Sequence, residues 1–303
     1  MVRYFGLVDE KITESVDPDY QIALYASPTD DEKWLLFNRY CLDEHTFNSA
    51  LDPGELARIE IEADHVAIIL KVPLNYNGEQ TFEFQVTSIG LFLFEDVLLI
   101  IMEEDVPVFE NKKFLRIASL ADVVLKIVNS AVFHFLEHLR VIDTVSEGLA
   151  EKISVSMENT YLLNLFRLEK SLVYYQNAIN SNAVLLKKMR IYSQRIGFSA
   201  DDNELLEDVI IENNQCYKQA EVYSTILASM MDARVSIVNN NLNILMKRLT
   251  IITIAIMVPT FVVSAFSMNV IIPFQRYEYA FWGIMSIALV VMIGFLFLWR
   301  PKK

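Results

Sequence analysis

The sequence predicts an α+β domain followed by long stalk helices and two C-terminal transmembrane helices, mostly α overall and assembled as a homo-oligomer. Three observations predict this. Mean hydropathy is +0.30 and 53% of residues are hydrophobic, more than a soluble chain of 303 residues ordinarily carries. Prolines stand at positions 18, 28, 53, 73 and 107 and then not again until Pro259, so a long middle stretch lacks the strongest helix breaker. Charge is also divided. From Lys247 onward six cations (Lys247, Arg248, Arg276, Arg300, Lys302 and Lys303) face Glu278 alone, a net +5, so of the total −13 the preceding part carries −18.

The first element to place is the N-terminus. "MVRYFGLVDEKITES" has no apolar h-region and does not read as a signal peptide. Short apolar runs then read as strands: "QIALYA" (21–26), "VAIILKV" (66–72), "TFEFQVTSIGLFLF" (81–94) and "VLLIIM" (97–102). Between the first two, "DDEKWLLFNRYC" (30–41) and "DEHTFNSAL" (43–51) suit helices. Residues 1–112 are thus an α/β domain. Next come two long helical segments, 114–147 before Gly148 and 156–196 ending at Gly197 as a C-cap, which make a helix hairpin over 113–198. "SADD" then places Ser199 three residues before Asp202, a capping-box-like start. From there to Phe266 the only strong breaker is Pro259, which lies in an apolar run where it is tolerated. The implied helix of about 65 residues is on the order of 100 Å long. It is a stalk continuous with the first membrane helix, over 199–267.

Between Arg248 and Arg276 lies an uncharged run of 27 residues, and 279–299 is another of 21. Each is long enough for a hydrocarbon core of roughly 30 Å. Lys247 and Arg248 precede the first run, and Arg300, Lys302 and Lys303 follow the second, so both ends read as cytoplasmic by the positive-inside rule. Residues 268–278 become a short external loop, and 279–303 the second membrane helix with a basic tail. Tyr277, Tyr279, Trp282 and Trp299 suit the interfacial aromatic belt. The expected location is the cell membrane, multi-pass, with the acidic N-terminal part inside.

The long helix carries a polar seam. Asn239, Asn243, Met246, Thr250, Thr253, Met257, Thr260, Ser264 and Ser267 follow one another at alternating intervals of four and three, a heptad-like line on one face. In lipid, one copy would leave part of this line facing hydrocarbon; copies around a symmetry axis would turn it inward and line a channel. The bland alternative is that the hydroxyls bond back to carbonyls one turn earlier and glue helices together in a dry contact. Retention of one register over many turns favours the channel. The seam lacks Asp, Glu, His and Cys and so is not built to hold a transition metal. Its neutral oxygens suit the waters of a hydrated ion, and Mg²⁺, which dehydrates reluctantly, fits such a path. Met246, Met257 and Leu249 provide apolar constrictions.

Other functions find little support. An acidic surface argues against nucleic acid as partner. Cys41 and Cys216 have no metal-ligand spacing and imply no disulfide framework. His134 and His138, one turn apart, read as packing or surface residues, and no nucleotide loop or catalytic triad appears, so the chain is not read as an enzyme.

At the C-terminus the sequence resembles the CorA metal ion transporters, whose hallmark is Gly-Met-Asn at the outer end of the first of two C-terminal membrane helices. The triplet here is Ser267-Met268-Asn269. "NNNLNILMKRLTIITIAIMVPTF" (239–261) is similar to the family's pore helix, and "LDPGELARIEIEADHVAIILKVP" (51–73) to its segment leading into a core strand. The resemblance implies a homopentameric membrane channel with divalent cations, chiefly Mg²⁺, as both substrate and regulatory ligand, and with no organic cofactor. It implies Asn243 near the inner mouth, Met246 and Leu249 in a hydrophobic gate, Thr260 deeper in the pore and Asn269 in the outer ring, while Thr250, Thr253, Met257 and Ser264 are pore-lining by the spacing of the seam. It further implies regulatory acids at Asp208, in "LEDVIIENNQ" (206–215), and at Asp232, with Glu95, Asp96 or Asp105 as a partner acid, and a basic collar of Lys247, Arg300, Lys302 and Lys303. The implied partners are other copies of the chain, membrane lipid and divalent cations. Ser267 in place of glycine is the departure, since glycine reaches backbone conformations that serine adopts only at a cost. A path for zinc, cobalt or nickel, and a non-conducting membrane-anchored cation sensor or scaffold, are the competing readings.

Overall fold

A computed structural model of the chain describes residues 1–15, 20–74, 82–109, 114, 116–155, 159–267 and 277–298. It divides into two compact units, Met1–Met231 and Asp232–Lys303.

The first unit is built on a seven-stranded sheet. Strands β1 (Val2–Val8), β2 (Lys11–Glu14), β3 (Ile22–Ala26), β4 (Arg58–Ile61), β5 (Val66–Pro73), β6 (Val86–Leu93) and β7 (Leu98–Met102) take the order β2-β1-β3-β7-β6-β5-β4. Only the β3–β7 pair is parallel among these, with Ile22 opposite Leu98 and Ala26 opposite Met102. All four strands read from apolar runs are present, three of them trimmed and β5 one residue longer. Those runs are continuous because both faces of the sheet are covered. Alternate residues go to different cores: Ala23, Tyr25, Leu99 and Ile101 pack with Leu36 and Phe47 of helices α1 (Asp30–Tyr40) and α2 (Glu44–Leu51). Ile22, Leu24, Leu98 and Ile100 pack with Val124, Val128, Leu185 and Leu186 of α3 (Leu120–Val155) and α4 (Asn159–Ile191).

The covered sheet imposes close approaches. A Cβ on Gly90 of β6 would lie 2.5 Å from Ala50 Cβ, so glycine here lets α2 rest directly on the strand. Strands β1, β2 and β4 escape sequence detection because they are short or lie at the margin; β1 is half-buried throughout most of its length. The strand expected over 81–94 begins only at Val86. Upstream, Phe84 N–H donates to Ser171 Oγ of α4 at 3.0 Å, so this segment pairs with a helix side chain instead of extending β6.

The helices follow the proline gap, with corrections: the segment expected from 114 becomes helical at Leu120, and the one expected over 156–196 is interrupted at Tyr192. Gly148 does not end a helix: α3 runs through it to Val155. A glycine inside a helix costs about 1 kcal/mol, which the packing of α3 outweighs. Gly197, in contrast, caps as expected: its φ is 90° and its N–H donates to Ser193 O, ending the short α5 (Ser193–Ile196). The box at Ser199 also forms, with Ser199 N–H donating to Asp202 Oδ2 at 2.8 Å and Asp202 N–H to Ser199 Oγ at 3.2 Å. Helix α6 then runs without interruption through 67 residues, Ala200–Phe266. Its first part joins α3 and α4 in a second core containing Phe135, Leu139, Leu172, Tyr175, Cys216 and Ala220. His138 belongs to this packing. Its Nδ1 lies 2.7 Å from Tyr175 Oη, and burial, helped by His134, pulls its pKa down to about 4. The same burial pushes the Cys216 thiol up to about 12.

In the second unit, the remainder of α6 and α7 (Ala280–Leu298) are the described helices. Among the described residues α6 is the helix with an apolar window long enough to cross a membrane; in α7 the corresponding apolar stretch is shorter, Ala280–Phe295.

Candidate functional site

The candidate site is the line of polar residues on the second half of α6. A helix advances 100° per residue, so Asn239, Asn243, Met246, Thr250, Thr253, Met257, Thr260, Ser264 and Ser267 share one side. All nine are exposed. The half-buried residues of the same stretch are Asn241, Ile251, Ile254, Ala255, Val258, Pro259, Val262 and Phe266, and they lie on roughly the opposite side. On α7 the shielded residues among those described are Ala280, Ile284, Ala288, Met292 and Phe295, likewise one stripe. Each helix of this unit therefore has one sheltered face, and the polar line of α6 is not on it. Met246, Leu249 and Met257 are 62%, 60% and 62% exposed along or beside this line.

The hydroxyls are arranged in one way. Thr250 Oγ1 donates to Met246 O at 2.9 Å, Thr253 Oγ1 to Leu249 O at 2.9 Å and Thr260 Oγ1 to Ile256 O at 2.7 Å. A hydroxyl has one proton and two lone pairs, so a threonine whose proton is committed to its own helix presents acceptors outward. The back-bonding expected of a helix-packing threonine is thus present, and it is compatible with an outward row of oxygen acceptors. At the end of the helix Ser267 N–H and Oγ both donate to Ser264 O, at 3.1 and 2.9 Å. The described non-glycine residues with positive φ are Asp9, Glu10, Ser27, Cys41, Phe82 and Arg116. Ser267 is not among them, so its own backbone carries none of the strain anticipated from replacing glycine. Met268 and Asn269 lie outside the described residues, as do Arg300, Lys302 and Lys303 of the basic collar. Lys247 is described and exposed.

The regulatory candidates are dispersed. Asp208 and Asp232 are both exposed on α6, and Asp232 precedes Asn239 by seven residues, on the same face. Among the partner-acid candidates, Asp105 is ion-paired with Arg3, while Glu95 and Asp96 form the turn between β6 and β7. Groups of three or more metal-ligating side chains are absent among the described residues. One residue gives a signal that the strand reading passed over. Lys71 is the lone charge inside "VAIILKV", and in the fold it is buried.

A family profile described as "CorA-like Mg2+ transporter protein" matches residues 22–302. The chain belongs to that family. CorA-family proteins are transporters of the membrane and not classical enzymes. A curated relative, the cobalt/magnesium transport protein CorA of Methanocaldococcus jannaschii, is 24% identical over 310 residues, covering 97% of this chain and 95% of its own. The complete structure of the CorA magnesium transporter from the same organism superposes with a TM-score of 0.82 at 22% identity, covering 100% of this chain and 97% of that one. Full-length CmaX superposes with a TM-score of 0.65 at 13% identity over 97% of this chain and 96% of its own. The cytoplasmic domain of ZntB from Vibrio parahaemolyticus gives 0.60 at 13% identity, over 78% and 98%. At such identities these structures establish the shared fold, an N-terminal domain with long helices, and the family profile establishes membership.

Proposed function

We propose that this CorA-family chain conducts a divalent cation, Mg²⁺ first among them, through a central pore formed by several copies of α6, with α7 completing a two-helix membrane hairpin. One observation carries the reading: the polar line of α6 is exposed along its whole length on the side away from the sheltered stripe, with Thr250, Thr253 and Thr260 offering oxygen acceptors. Water bound to a cation points its hydrogens outward and requires such acceptors. Mg²⁺ usually keeps several of its waters, so a row of neutral acceptors lets it move without full dehydration. Five copies, the family number implied by the resemblance, enclose the axis. Met246 and Leu249 then form the apolar gate, Asn243 the inner polar ring and Asn269 the outer one. Lys247 with the C-terminal basic residues holds both ends on the inner, cytoplasmic side.

The test is Mg²⁺ uptake into proteoliposomes driven by an inside-negative potential. Thr253→Val and Thr260→Val, nearly isosteric, lower uptake by roughly tenfold, the equivalent of about 1.4 kcal/mol per lost interaction in the limiting step. Val258→Ala, on the sheltered side, changes it far less. Equal effects on both sides, or unchanged flux in Asn269→Ala, defeat the reading.

Regulation follows from charge. Met1–Met246 carries −18, so copies repel one another around the axis until cations screen them. Asp208 and Asp232, both exposed, are the proposed binding positions. Millimolar Mg²⁺ then protects the oligomer from proteolysis, and Asp208→Ala weakens that protection.

The relative named as a cobalt/magnesium transport protein supplies a second ion, Co²⁺. Competition of Co²⁺ against Mg²⁺ uptake ranks the two directly.

A further inference from the structure

Between the end of β5, the start of β6 and helix α4 lies a cavity of about 620 Å³. It falls entirely within Met1–Met231 and is separate from the polar line of α6. Its volume is within the range of roughly 300–1,000 Å³ typical of small-molecule sites.

The wall contains a buried cation. Lys71 is 5% exposed, and its Nζ donates to Pro53 O at 2.7 Å and Ser88 Oγ at 2.8 Å. Among the described residues it forms no ion pair with a carboxylate. An ammonium has three donors, so one remains unused. Burying a cation without an anionic partner is costly, and here burial holds the ammonium below the usual lysine range, opposed by the more distant Asp52 and Glu55.

More positive charge gathers at the rim. Arg167 and Lys170 project from α4, with Lys170 Nζ 5.8 Å from the centroid of the Tyr174 ring. The carboxylates along the wall are largely engaged: Glu55 pairs with Arg58 at 2.5 Å, and Glu83 lies 3.9 Å from Arg167, leaving Glu104. Three cations, Lys71, Arg167 and Lys170, line the cavity against three carboxylates, and the two carboxylates held in ion pairs leave Lys71 and Lys170 facing Glu104 alone. Phe84 and Tyr174 supply aromatic surface.

The wall is also fixed in advance. Ser181 Oγ accepts from Ala57 N–H at 2.6 Å, and Ser171 Oγ accepts from Phe84 N–H at 3.0 Å. Asn182 Oδ1 accepts from Lys71 N–H at 3.0 Å while its Nδ2 donates to Lys71 O at 2.8 Å. Preformed polar walls reduce the ordering cost of binding.

We propose that this cavity binds a small organic anion with a single charged head, a carboxylate or a phosphomonoester, on Lys71, Lys170 and Arg167, and an aromatic or apolar body against Phe84 and Tyr174. A single head matches the two lysines left outside ion pairs; a polyphosphate would meet Glu83 and Glu104.

Isothermal titration of the full-length protein in detergent tests this, using phenyl phosphate and phenylacetate as probes that share a body and differ in head, with inorganic phosphate as the head alone. At least one of the two organic anions binds saturably, one per chain, with Kd at or below about 1 mM. Lys170→Gln and Tyr174→Ala, both on the exposed face of α4, each weaken binding about fivefold or more while leaving the thermal midpoint in place. Lys71→Met abolishes binding where it folds. The proposal is overturned if neither organic anion saturates below about 10 mM, if inorganic phosphate binds as well as both, or if Lys170→Gln and Tyr174→Ala bind as the parent does.

Discussion

Ile100 and Ile256 are the same side chain in opposite circumstances. Ile100, on β7, is 0% exposed between sheet and helices, whereas Ile256, on the second half of α6, is 64% exposed. The difference runs through both units. In Met1–Met231 apolar faces are covered by other elements of the same chain, and several polar groups that enter the interior meet designated partners. Asn182 takes both backbone groups of Lys71, and Ser171 and Ser181 each take an N–H. In Asp232–Lys303 the described apolar residues are mostly exposed, and the threonine hydroxyls are satisfied by their own helix. The first unit solves its burial problem alone. The second requires another solvent and, in our proposal, other copies, which is what a channel-forming segment needs.

Substitutions sharpen or break this contrast. The largest effect is expected for Ile100→Ala, which leaves a cavity in a sealed core and costs about 2–5 kcal/mol in denaturant unfolding of the full chain. Acid comes next. His138 is held neutral by burial, beside Tyr175 and His134, with its pKa near 4 in the fold. Because the unfolded chain binds the proton more readily, stability is full above the ordinary histidine value near 6.5 and is lost as pH falls toward 4. The loss is on the order of 3 kcal/mol. In His138→Gln the thermal midpoint should vary less between pH 7 and pH 4.5 than in the parent; an unchanged pH profile would remove His138 as the cause. Asn182→Leu strips the Lys71 backbone of both partners and is expected to cost about 2 kcal/mol, read from the same unfolding curves. Ile256→Ala should be nearly silent, within about 0.5 kcal/mol in detergent. A large cost there would show that this face is packed within the single chain, and the contrast would fail.

The sequence reading succeeded where the information was local. Gly197 and Ser199 announced a helix end and a helix start through their own conformational and hydrogen-bonding preferences, and the fold uses both. The four apolar strand runs were legible because a doubly covered sheet leaves no polar alternation to interpret. Gly148 misled because propensity is weak against the packing of a 36-residue helix. β1, β2 and β4 were missed because short marginal strands depend on partners elsewhere in the chain. The polar line of α6 could be found by spacing alone, yet its register did not say whether the line was sheltered. Lys71 looked like an ordinary strand residue until its neighbours were known.

By itself the sequence determined the uninterrupted α6, its N-terminal cap and the alignment of Asn239 through Ser267 on one face, since each follows from spacing and backbone chemistry within a few turns. Tertiary structure alone decided that β3 lies beside β7, that Asn182 and Ser88 close around Lys71, and that the polar face of α6 is the one left open. Those outcomes depend on contacts between residues far apart in the chain, which local preference does not encode.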